Sequence, residues 1–152
     1  MAFLESTKKF NIITPINQLG YGVVGLNVVK SLLENSHDVA LFVLGQIQAD
    51  PKLHEFLKGC FEASRTPDFT APCVRIWHQH DMSEWVGSGT KIGFPIFELN
   101  KFTPQEIHHL EHPDKLFVCS QWAKEIVLDQ LGDKTKEENI HVIPLGVDRS
   151  IF

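Results

Sequence analysis

Residues 10–25 read Phe10-Asn11-Ile12-Ile13-Thr14, then Pro15-Ile16-Asn17-Gln18-Leu19, then Gly20-Tyr21-Gly22-Val23-Val24-Gly25. The first five residues are an apolar run of strand length. Beyond the glycines, Leu26, Val29 and Leu33 recur at helical spacing and give one buried face. Residues 39–44 then form a second apolar strand. Strand, glycine turn, helix, strand is the opening unit of a doubly wound α/β domain. Glycines at the turn let a phosphate or sugar approach the backbone, and the helix start aims unpaired N–H groups at the same place. Close helix–sheet packing accounts for part of the same pattern.

The letters also spell G-x-G-x-x-G, the dinucleotide fingerprint. Two features argue against that reading. Five residues separate the strand from the first glycine, where the fingerprint has almost none. The second strand ends Val43-Leu44-Gly45-Gln46, without the ribose-binding acid the fingerprint places there.

The remaining chain continues the alternation. Asp50 with Pro51 caps a second helix, to which Leu53, Phe56 and Leu57 give an apolar face and which Gly59 is expected to end. Strands follow over residues 73–77, 91–97, 115–119 and 140–143. Thr103-Pro104-Gln105-Glu106 is a capping box for a third helix, whose His108, His109 and His112 read as a solvated face. Ser120 caps a fourth, stopped by Gly132, with Trp122, Ile126, Val127 and Leu131 as its expected inner face. Gly87-Ser88-Gly89 reads as a flexible link. Near-continuous apolar strands alternating with helices predict a three-layer α/β/α sandwich, Rossmann-like, with a mostly parallel sheet of at least six strands.

The 152 residues predict one domain, and a 43% hydrophobic content is enough for a real core. Net charge is −5 with the cations scattered, so no basic stripe points to nucleic acid. No apolar run reaches membrane-spanning length, and residues 1–5 lack the charge and apolar stretch of a signal peptide. Cys60, Cys73 and Cys119 are odd in number, without CxxC spacing. Reduced thiols and a cytoplasmic location are the expectation.

Ligands of doubly wound sheets bind beyond the carboxyl ends of the strands. Along that edge lie Gly20, Tyr21 and Gly22, Gln46, His78 to Asp81, Glu98, Ser120-Gln121, and residues 144–148 with Gly146. His78, His80 and Asp81 also suggest a metal, but there is no obvious fourth ligand. No metal and no cofactor are expected.

In the second half, "KLFVCSQWAKEIVLDQLG" (115–132) and "NIHVIPLGVDRSIF" (139–152) resemble the end of the N-terminal domain of GT-B-fold glycosyltransferases. The closest likeness is to the family 4-like group, the "glycosyl transferases group 1". That family has a strand ending in serine, a helix bearing an aromatic and a basic residue, and a strand running into P-x-G-V-D-x-x-x-F. Here those are Ser120, Trp122, Lys124 and Pro144 to Phe152. "GYGVVGLNVVKSL" (20–32) resembles the family's glycine loop and first helix. "WHQHD" (77–81) sits where relatives carry a histidine loop. "GFPIFELNKFTPQEI" (93–107) resembles a subgroup's strand-plus-glutamate segment.

The resemblance implies that residues 10–147 are the acceptor-side domain. A lead-in precedes it at 1–9, and a linker to a donor-binding domain begins at 148–152. It implies transfer of a glycosyl group from a nucleotide-sugar to a sugar or other hydroxyl acceptor. Configuration is mostly retained, and no bound metal is used. The family's donor-binding basic residue and paired glutamates belong to the second domain, so these residues alone are expected to be inactive, and self-association through the exposed cleft face is an expected possibility. Gly20, Tyr21 and Gly22 would offer amides near donor phosphates. His80, and next His78, would contact transferred sugar or acceptor. Glu98 would bind sugar hydroxyls or act on the acceptor, although a cap or ion-pair role explains it nearly as well. Trp77, Trp85 and Trp122 are the candidates for stacking on a sugar, with Trp85 the better one and Trp122 expected to be buried. Two rivals stand beside this reading: a nucleotide- or dinucleotide-binding domain of an oxidoreductase, and a non-catalytic docking module.

Overall fold

A computed structural model describes residues 7–147. Six strands form one sheet: β1 (Lys9–Thr14), β2 (Asp38–Val43), β3 (Cys73–Trp77), β4 (Lys91–Pro95), β5 (Lys115–Val118) and β6 (Ile140–Val142). Their order is β2-β1-β3-β4-β5-β6, and every neighbouring pair is parallel. Four helices flank it: α1 (Gly20–Glu34), α2 (Pro51–Ala63), α3 (Pro104–Leu110) and α4 (Gln121–Leu131). The fold is the expected Rossmann-like α/β sandwich. Among the described residues no helix is long and apolar enough to cross a membrane. Asp148 to Phe152, where the resemblance places the linker, lie outside the described residues.

Side-chain alternation covers both faces of the sheet. On β5, Leu116 and Val118 join Ala123, Val127 and Leu131 of α4 in one core cluster. Phe117 turns the other way, toward a cluster built on Ile12, Leu41, Ile76, Phe94, Val29 of α1 and Leu57 of α2. Three of the four helix starts are capped as the sequence predicts. Asp50 accepts from Leu53 N at 2.8 Å, Thr103 and Glu106 form a reciprocal capping box, and Ser120 accepts from Ala123 N at 3.1 Å.

Four expectations fail for physical reasons. Helix α2 does not end at Gly59 but runs to Ala63, because one glycine costs only about 1 kcal/mol in a helix. Gly87 to Gly89 is not a free link. Ser88 N donates to Phe69 O at 2.7 Å, and Gly87 has φ +79° with Phe69 O only 2.3 Å from where a Cβ would stand. Trp122 is not core. It is 45% exposed at the first turn of α4, and Ala123 takes the inward position. The glycine stretch is not a loop at all: Gly20 is the first residue of α1.

Candidate functional site

The strand order puts a topological switch point between β1 and β3. From β1 the chain moves outward to β2, then crosses back to β3 and continues the other way. The connections leaving these two strands therefore diverge at the carboxyl edge, the position at which sheets of this kind hold their ligand crevice. The first segment brings Tyr21 to that crevice and the second brings Trp77, His78 and His80.

These four side chains form one array. The Tyr21 ring meets His78 edge-on at 4.6 Å between centroids and Trp77 at 5.3 Å. Trp77 meets His78 edge-on at 4.7 Å, and His78 stacks on His80 at 5.0 Å with planes 13° apart. The Tyr21 hydroxyl donates to the Ile96 carbonyl just beyond β4, tying the start of α1 to the β4 end. Burial pushes the Tyr21 phenol up to about 12, so it remains a donor at neutral pH. Burial, and then the neighbouring His80, push His78 below its ordinary value against the opposing pull of Asp81. A neutral His78 and an exposed His80 thus face the crevice.

Buried polar groups fix the His78–Asp81 segment from beneath. Arg75 on β3 is 1% exposed. Its Nε donates to the Asp81 carbonyl at 2.8 Å, and its Nη2 pairs with Asp81 Oδ2 at 2.7 Å. Gln79 Nε2 donates to Glu106 Oε1 at 2.8 Å inside the protein. Burial raises the Glu106 carboxyl, but hydrogen bonds from Thr103 and Gln79, with His80 nearby, outweigh it and hold the group below its ordinary value. Asp81, a sequence candidate for binding, therefore anchors its loop through a buried guanidinium.

The glycines divide by role. A Cβ at Gly22 would stand 2.3 Å from Asn17 Oδ1 and 2.5 Å from Asn17 O, and one at Gly25 would stand 2.0 Å from Thr14 Oγ1. Both serve close packing of α1 on the end of β1. Gly20 is exposed with open space around it. Helix α1 has no side-chain cap at Leu19 and no acid in its first turn, and Gly22 in that turn is buried beneath Asn17.

The other sequence candidates spread along the same edge. Glu98 is exposed just beyond β4, and no hydrogen bond or ion pair joins it to the aromatic array among the described residues. Ser120 is the α4 cap, Gln46 follows β2, and Gly146 lies in an exposed segment without regular structure after β6. Of the tryptophans, Trp77 is the one packed into the aromatic array. Trp85 is half-buried, and its Nε1 is buried without a hydrogen-bond partner. Reasoning from sequence missed Arg75 and Ile96, and named Gln79 only as part of the His78–Asp81 stretch. An arginine inside an otherwise apolar strand was the available signal for the first; a backbone carbonyl partner leaves no signal at all. Among the described residues, no group of three histidine, cysteine or acidic side chains is arranged to hold a metal. Cys60, Cys73 and Cys119 are free thiols pushed up by burial.

Along this edge exposed apolar side chains also gather: Leu19 and Val23 at the start of α1, Leu99 after β4, Trp122 on α4, and Leu145 and Val147 after β6. No family model, curated protein or solved structure matches the chain.

Proposed function

We propose that this chain is the acceptor-side domain of a nucleotide-sugar-dependent glycosyltransferase of GT-B type. The Tyr21–Trp77–His78–His80 array at the β1/β3 switch point is the observation that carries the proposal. Aromatic faces suit the apolar faces of a sugar ring, and imidazole nitrogens suit its hydroxyls. The motif resemblance supplies the reaction class. The acceptor oxygen bonds to the anomeric carbon as the bond from that carbon to the donor phosphate breaks. The nucleoside diphosphate leaves with the electron pair, and the acceptor proton passes to it. His80, exposed and stacked on His78, contacts the transferred sugar or acceptor. Glu98 holds acceptor hydroxyls. Leading N–H groups of α1 face the donor phosphates.

The exposed apolar side chains along the edge support a cleft with a second wall, a separate donor-binding domain supplying the base, ribose and diphosphate contacts. Residues 1–152 by themselves would form one wall, transfer no sugar and bind nucleotide-sugars weakly, because real sites bury most of their ligand. The dinucleotide rival is disfavoured by Asn17, which fills the space over Gly22.

The test is calorimetric titration of the chain and its H80A and W77A variants with a panel of saccharides, nucleotide-sugars, NAD and NADP. Saturable saccharide binding that both substitutions weaken at least fivefold, with no dinucleotide binding, is expected. Micromolar NAD or NADP binding, or saccharide binding indifferent to both substitutions, would contradict the proposal.

A further inference from the structure

At the other end of the sheet, where α3 runs out toward the start of β5, His108 and His112 are four positions apart and both exposed. Their Nε2 atoms are 3.4 Å from each other. We infer that this pair is a surface site for a borderline transition-metal dication, Zn2+, Ni2+ or Cu2+, with two protein ligands and the remaining positions held by water.

The spacing is the physical basis. His112 stands just past the end of α3 at Leu110, in the closing turn where His112 N donates to His109 O, and this turn brings its ring beside that of His108. Two donors on a tetrahedral zinc with bonds of about 2.0–2.1 Å stand about 3.4 Å apart. A modest rotation of the exposed rings aims both lone pairs at one ion, which replaces the proton the nitrogens otherwise share. The neighbouring candidates are engaged elsewhere: His109 Nδ1 accepts from Met82 N at 3.2 Å, and the Glu111 carboxylate pairs with Lys134. The site is therefore bidentate, in keeping with the lack of a three-ligand group among the described residues. Lys91 opposes a cation near His112 and Glu111 favours it. Imidazole ligands select against Mg2+ and Ca2+, which take oxygen.

The experiment titrates the whole chain, in a non-chelating buffer, with zinc, nickel, copper and magnesium chlorides, and repeats this with H108Q, H112Q and H54Q. One ion per chain is expected, copper binding tighter than nickel or zinc and magnesium not at all. H108Q and H112Q each weaken binding at least tenfold, while H54Q, an exposed histidine on α2, leaves it unchanged. Zinc should also shift the ring resonances of His108 and His112 in the unsubstituted chain, which decides the matter if a variant fails to fold. No saturable binding, smaller losses in both variants, or binding removed by H54Q instead would overturn the inference.

Discussion

Replacing Asp81 by alanine leaves the Arg75 guanidinium buried without its anion. Asp81 is partly open to water, so the expected cost is about 2–3 kcal/mol in urea unfolding. D81N should recover part of it, because the amide oxygen still accepts from Nη2; equal stability of D81A and wild type would remove Asp81 from its anchoring role. Tyr21 gives a finer contrast. Y21F removes only the hydroxyl bond to Ile96, worth about 1 kcal/mol, and should leave saccharide binding nearly unchanged. Y21A removes the ring packed on His78 and should weaken it severalfold, as read by calorimetry. At this scale the sequence was legible wherever a residue bonds to its own neighbourhood, as in the caps at Asp50, Thr103 and Ser120. Asp81 and Gln79 were ambiguous because their partners, Arg75 and Glu106, are defined by the folded chain.

Among the elements, α1 and α2 each carry a glycine that a substitution can interrogate. In α1, Gly22 lies against Asn17 backbone, so G22A should cost about 1–3 kcal/mol of overpacking, exceeding the helix-propensity gain of about 1 kcal/mol. In α2, Gly59 is exposed within the helix and nothing approaches its Cβ position, so G59A should stabilise by about 0.5–1 kcal/mol. Opposite signs in paired urea melts are the expectation; a stabilising G22A would mean that α1 does not pack as described. The same two glycines explain what could be read in advance. Periodicity located every strand and helix, because apolar spacing is a local property. It misjudged Gly59 as a stop, and it left the packing role of Gly22 and Gly25 undecided against a ligand-facing one. A glycine's purpose depends on what stands opposite it, here Asn17 and Thr14. Trp122 fits the same logic: at the first turn of α4, one position decides whether a side chain faces core or solvent.

For the molecule as a whole, stability should fall as pH drops. His78 and His112 are held below their ordinary value of 6.5, so the unfolded chain takes up protons first, and their contribution is lost as pH falls from about 6.5 through the folded values. Glu106 is also depressed, so its contribution is full above about 4.5 and is lost below. In metal-free buffer the urea midpoint should therefore be lower at about pH 5.5 than at about pH 7.5, and H78Q should flatten that difference; a midpoint rising on acidification would contradict the assignment. The architecture was legible because strand–helix alternation and short connections admit few topologies. The site was legible only as an edge. That Tyr21 meets His78 across the switch point depends on the order of β1 and β3, which no local pattern encodes. The central claim is that this crevice, rather than any other surface, takes the sugar. Heteronuclear NMR spectra of the labelled chain, titrated with the saccharide panel, test it most directly. Saturable shifts are expected at Tyr21, the Trp77 indole, His78 and His80, extending to Glu98. Shifts confined to other surfaces, or none at any concentration that saturates binding by calorimetry, would contradict it.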